Sequence, residues 1–192
     1  TIELDGQPVQ FHTPHQSLEA GIAFIHQELN LINDLPVYEN MFIGRELKKK
    51  SGLLDHKEMI RQTQQLFDEM GLDISPRAMV SSLDASYKQI VEISRALMMK
   101  ASLIIMDEPT TSLTDPEIER VFDMLRTLKA QQVGVVFISH KLREVMEICE
   151  RYTVLRDGVV VDYTGALRIV RELKEKLEAR LGTELVNCAI AM

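Results

Sequence analysis

The sequence predicts an α/β fold built on a mainly parallel sheet. Three observations carry that reading. Leu103-Ile104-Ile105-Met106 and Val133 to Ile138 are uninterrupted apolar runs of strand length, the pattern of buried strands. Segments of helical period lie between and after them, so strand and helix alternate. Each run then ends in polar residues, Asp107-Glu108 and Ser139-His140, at the edge where open parallel sheets hold ligands.

Taken in order, the chain opens with a hairpin. Residues 1–5 meet a turn at Asp5-Gly6-Gln7-Pro8 and return through Val9-Gln10-Phe11. The first residue is Thr1 rather than Met, and on that ground the chain is expected to be a fragment. Thr13-Pro14-His15-Gln16 starts a short helix with a cap, an N1 proline and a capping-box glutamine, and Gly21 stops it. Gly21 to Ile25 is the next strand, delivering His26-Gln27-Glu28 to its end. His26 reads as a packed or surface histidine. Gln27, just past a buried strand, fits packing poorly and suits contact with a metal-bound water.

Pro36 and Gly44 frame another short helix, and Lys48-Lys49-Lys50 reads as a solvated loop. Asp55 to Gly71 is a helix capped by Asp55, with Glu58 at its third position and a stripe of Met59, Ile60, Leu66, Phe67 and Met70. Ser86 to Lys100 is the next helix. Ile90, Ile93 and Leu97 face its core, which leaves Lys88, Glu92 and Arg95 for solvent or a partner. After the Asp107-Glu108 strand, Asp115-Pro116-Glu117 opens a helix with an acidic cap. The helix after His140 carries Leu142, Val145, Met146 and Cys149, and Asp157-Gly158 marks a second hairpin. Ile169, Leu173, Leu177 and Leu181 line an amphipathic helix over residues 168–181, which docks on the sheet or on a partner.

Composition sets the outer limits. The chain has 192 residues, 45% hydrophobic and 27% charged, enough for one domain with a sizeable core. A formal charge of −7 argues against a nucleic-acid partner, which needs a basic face. No run reaches membrane-spanning length, and no signal pattern opens the chain. Cys149 and Cys188 lack metal-site spacing and suit a reducing compartment.

Carboxylates, an imidazole and an amide thus converge on one sheet edge, a set that packing alone does not explain. Ile25 to Leu31, Leu103 to Glu108, Ser112-Leu113-Thr114-Asp115 and Ile138-Ser139-His140-Lys141 follow one another in the order and spacing of a known family. The chain resembles the nucleotide-binding subunit of ABC transporters, most closely the type that drives ribose- or galactose-like import. These stretches look like its Q-loop, its Walker B strand with the following glutamate, its D-loop and its H-loop. The resemblance implies a partial P-loop NTPase fold over residues 1–165, a helical subdomain near 30–100, and a separate helix and tail over 166–192.

It also implies roles. Asp107 with Gln27 would hold the Mg²⁺ shell, Glu108 would polarise the attacking water, and His140 would contact the γ-phosphate of ATP. Asp115 would speak across a head-to-tail dimer of nucleotide-binding halves. The implied partners are that second half, membrane permease subunits and, indirectly, a sugar-binding protein, with the chain on the cytoplasmic face of the membrane. An ABC-type ATPase of DNA repair or translation ranks lower, because neither heptad arms nor basic insertions are present.

Two departures stand out. Gly-x-x-x-x-Gly-Lys-Ser/Thr occurs nowhere in the 192 residues, so hydrolysis by the isolated chain is not expected. A non-catalytic module that only binds transporter subunits is the alternative. The family's strand bearing that loop would lie between the strand ending at His140 and the strand from Tyr152, so two strand edges are expected to lack a neighbour or recruit one. Second, Leu83-Asp84-Ala85-Ser86-Tyr87-Lys88-Gln89 stands where the family has Leu-Ser-x-Gly-Gln. Ser86 would still cap its helix and offer one hydrogen bond to a phosphate, while Asp84 would repel it. The change either weakens the site or is tolerated in this branch.

Overall fold

A computed structural model describes residues 2–4, 6–156, 159–164 and 188–191. The elements are β1 (Ile2–Leu4), β2 (Gln7–Val9), α1 (Pro14–Glu19), β3 (Ile22–Ile25), α2 (Val37–Phe42), α3 (His56–Glu69), a 3₁₀ turn (Val80–Ser82), α4 (Ala85–Met98), β4 (Leu103–Asp107), α5 (Asp115–Ala130), β5 (Gly134–Ser139), α6 (Leu142–Ile148), β6 (Tyr152–Arg156), β7 (Val159–Thr164) and β8 (Cys188–Ala191). β1 and β2 form the expected hairpin, and the other six strands form one sheet in the order β3-β4-β5-β8-β6-β7.

β3, β4 and β5 are parallel, with Ile25 opposite Met106 and Asp107 opposite Ile138. That register sets the three strand ends side by side. Ile104, Met106, Val135 and Phe137 are fully buried on one face of the sheet, in one core with Ile90 and Ile93 of α4 and Phe122, Leu125 and Leu128 of α5. Phe122 meets Phe137 edge-on at 6.2 Å. Each such side chain stabilises the fold by roughly 1.5–3 kcal/mol. The unbroken apolar runs predict cover on both faces, but burial alternates along β4 and β5, and Leu103, Ile105, Val136 and Ile138 are only partly covered.

The segment between β3 and β4 is a helical layer. Asp55 caps α3 by accepting from the Glu58 amide at 3.2 Å. Asn40, fully buried, binds the loop before α2: its Oδ1 accepts from Ile32 N at 2.8 Å, and its Nδ2 donates to the carbonyls of Ile32, Leu35 and Pro36. Arg45 donates to the carbonyls of Met41 and Met98, covering the C-terminal end of α4. Gly21 follows α1 with φ +83°, and a Cβ there would stand 2.9 Å from Ser102 Oγ, so two constraints select glycine.

Several expectations are corrected. Asp84, not Ser86, caps α4, accepting from Tyr87 N at 2.9 Å. Thr114, not Asp115, precedes α5, and its amide and hydroxyl both donate to Glu117 Oε2. Glu92 is not free for solvent: it is 3% exposed, enclosed by the loop that leaves β3. Of the two outcomes expected for the seat between β5 and β6, a vacancy or a recruited neighbour, the second is found. β8 occupies it, antiparallel to both, with Cys188 opposite Ser139 and Val154. The helix expected over residues 168–181 lies outside the described residues.

Candidate active site at the carboxyl edge of the sheet

Glu108 follows the last residue of β4 in a left-handed conformation, φ +45°, an uncommon and costly one for a residue with a side chain. Its amide donates to Ile138 O at 2.9 Å, which pins this turn to β5. The turn sends the Glu108 carboxylate sideways along the rim, where Oε1 lies 2.8 Å from His140 Nδ1 and Oε2 lies 3.1 Å from Thr111 Oγ1. The hydrogen bond from His140 holds the Glu108 carboxyl below the ordinary carboxylate range. Burial opposes it less strongly, and Thr111 adds a further, smaller lowering. A proton on His140 Nδ1 makes this contact a hydrogen bond to the Glu108 carboxylate. The pair is partly open, with the His140 side chain 46% and that of Glu108 22% exposed. A carboxylate backed by an imidazole in this setting can orient a water and accept its proton.

Gln27, Leu29, Gln89, Glu108, Thr111 and Ser112 line one cavity of about 320 Å³. Asp107 is the last residue of β4, immediately before Glu108. The three parallel strands therefore bring Gln27, Asp107, Glu108 and His140 to one rim. Asp115 is set apart, at the first turn of α5 in a cleft of about 570 Å³ shared with Lys141 and Glu144. Ser86 is also apart: it is fully buried, and its hydroxyl donates to Asp84 Oδ1 at 2.8 Å. Asp84 further accepts from Arg120 Nη1 at 2.9 Å, and Arg120 lies over the Tyr87 ring at 4.8 Å. Burial raises the Asp84 pKa, but the Tyr87 amide, Ser86 and Arg120 together pull it below the ordinary value. This carboxylate is thus engaged within its own domain.

Sequence reasoning missed a second network. Thr110, almost fully buried, donates to Glu144 Oε2 through a short bond; Lys141 Nζ donates to Thr110 O at 2.8 Å and pairs with Glu144 Oε1 at 3.1 Å. It ties the loop after Glu108 to the segment after His140. The one legible signal was Lys141 three residues before Glu144 at a helix start.

Oxygen donors at the tip of β4 suit Mg²⁺, which takes one or two protein carboxylates and otherwise waters and phosphate oxygens. Among the described residues, no group of three or more His, Cys, Asp or Glu side chains forms a metal cage. No helix among the described residues is long and apolar enough to cross a membrane.

Known proteins resemble this chain in both sequence and fold. The family model described as ABC transporter matches residues 1–111. A putative ribose/galactose/methyl galactoside import ATP-binding protein of Hahella chejuensis is 45% identical over 171 residues, covering 89% of this chain and 33% of the relative. The galactose/methyl galactoside import ATP-binding protein of Escherichia coli K12 is 44% identical over 158 residues, covering 82% of this chain and 31% of its own length. The chain thus spans about a third of the curated relatives it matches. In fold, it superposes on the ADP conformation of an ATP-binding cassette of an ABC transporter with a TM-score of 0.73 at 20% identity, covering 92% of this chain and 75% of that one. A cassette from Clostridium perfringens gives 0.71 at 20% identity, with coverage of 93% and 72%. This chain belongs to the ABC transporter family, on the side of its ATP-binding subunits.

Proposed function

We propose that this chain provides the water-activating half of the nucleotide site in an ABC-type carbohydrate importer. The observation that supports this best is the 2.8 Å contact between Glu108 Oε1 and His140 Nδ1, at the ends of adjacent parallel strands with Gln27 on the same rim. In this reading Glu108 takes the proton of the attacking water, while His140 orients Glu108 and contacts the γ-phosphate. Asp107 and Gln27 would hold the shell of a Mg²⁺ ion, which would neutralise phosphate charge. Asp115 and the exposed edge of the Leu83–Gln89 segment face a second nucleotide-binding half, whereas Ser86 stays buried against Asp84. Permease subunits at the cytoplasmic face of the membrane receive the work, and a sugar-binding protein delivers the cargo.

The phosphate cradle has to come from outside these 192 residues, since they hold no Gly-x-x-x-x-Gly-Lys-Ser/Thr. The same absence favours a second reading, a domain that docks on transporter subunits without turnover. Calorimetry on the 192-residue chain is expected to give no Mg-ATP binding at micromolar concentration, and micromolar binding would rule out the second reading. The catalytic reading is tested in a chimera. Residues 2–156 replace the matching stretch of the Escherichia coli galactose/methyl galactoside import ATP-binding protein, and galactoside uptake is measured. Uptake is expected to persist and to fall roughly 10²-fold or more with Glu108→Gln. Equal uptake by the Glu108→Gln chimera would refute the assignment.

A further inference from the structure

Helix α4 is mostly buried, yet one edge of it is polar. Lys88, Gln89, Glu92 and Arg95 fall at helical spacing on a single stripe. Three of them bind the loop that leaves β3, and Gln89 lines a cavity beside it. Lys88 Nζ donates to Asn33 Oδ1 at 3.1 Å. Arg95 Nη1 donates to Asn30 O at 3.2 Å, while its Nη2 donates to Glu92 Oε1 at 2.9 Å. Glu92 is 3% exposed, and burial pushes its carboxyl up, offset in part by Arg95, the Asn30 backbone and His26. Gln89 lines the cavity of Gln27, Glu28 and Leu29, and its buried Nε2 has no hydrogen-bond partner.

The far part of the loop, at Asn30 and Asn33, is therefore fastened to α4 by charged groups. Its near part, at Gln27, faces a donor not yet engaged. A buried ion pair is weak evidence for stability, because desolvation cancels most of its attraction. This pair does something more specific: the fork of Arg95 reads one main-chain carbonyl and one carboxylate together, which fixes where the loop stands along the helix. We infer that Arg95 and Glu92 are positioning residues for Gln27, holding its loop in register with α4 so that Gln27 stays on the rim beside Glu108. α4 is capped by Asp84 and carries Ser86 in its first turn, so the register links that segment to the rim through one helix.

This inference rests on the proposed role of Gln27, but its test needs no nucleotide, so failure of one is distinguishable from failure of the other. Hydrogen exchange read by peptide mass spectrometry is compared between the 192-residue chain and its Arg95→Ala variant. Exchange in the 26–34 segment is expected to rise roughly tenfold to a hundredfold, with β3, β4 and β5 protected as before. Arg95→Lys, which keeps the charge but not the fork, is expected to recover only part of the protection. Should Arg95→Ala fail to fold, Glu92→Gln gives the same readout with a smaller rise. Unchanged exchange in 26–34, or a rise shared equally by the sheet, overturns the inference, as does full protection in Arg95→Lys.

Discussion

At the scale of single residues, Glu108 and His140 are the most informative pair. The depressed Glu108 pKa is a statement about stability as well as chemistry. A carboxyl held below its unfolded value contributes stability above the ordinary carboxylate range, and that contribution is lost as the pH falls through its folded pKa. Removing the imidazole with His140→Ala is expected to move the Glu108 carboxyl back up toward the ordinary range, as read by carbon NMR titration. A Glu108 midpoint that does not move would show that Thr111 and Lys141, rather than His140, set its ionisation. The strand-end acids and His140 were legible in the sequence because an apolar run that stops at charged residues marks a strand tip. The lateral turn that brings Glu108 to His140 was not legible, since nothing local announces a left-handed glutamate.

Among elements, caps and stops were the best-read features. Thr13, Asp55, Gly21, Gly44 and Gly71 act where their chemistry places them, because a cap depends only on a few neighbouring residues. The errors fall where distant chain intervenes. Glu92 looks like a solvent-facing helix residue until the Asn30 loop, some sixty positions away, closes over it. The same applies to Asn40, whose amide replaces secondary structure for the loop over residues 32–36. Asn40→Leu leaves buried backbone groups without partners and is expected to cost about 2–4 kcal/mol in urea unfolding. Asn40→Asp keeps the acceptor for Ile32 N and loses the donations, so a smaller loss is expected. If both variants unfold like the parent, the loop is held by other means.

For the molecule as a whole, the parallel arrangement of β3, β4 and β5 followed from the alternation of apolar runs and amphipathic helices. The place of β8 did not. Four small or apolar residues, Cys188 to Ala191, carry little local signal, and their pairing with β5 closes a very long loop. In this position β8 covers edges of β5 and β6 that would otherwise expose unpaired backbone groups. Deleting residues 188–192 is expected to raise light scattering at micromolar concentration and lower the melting midpoint. A truncated chain as soluble and as stable as the parent would mean that the two strands do not depend on β8.

The left-handed backbone at position 108 sets durability against usefulness. A glutamate there costs about 1 kcal/mol relative to a residue without a side chain. A random library sorted only for survival on heating should therefore drift toward Glu108→Gly, and the winners would carry a calmer turn with nothing left to take a proton.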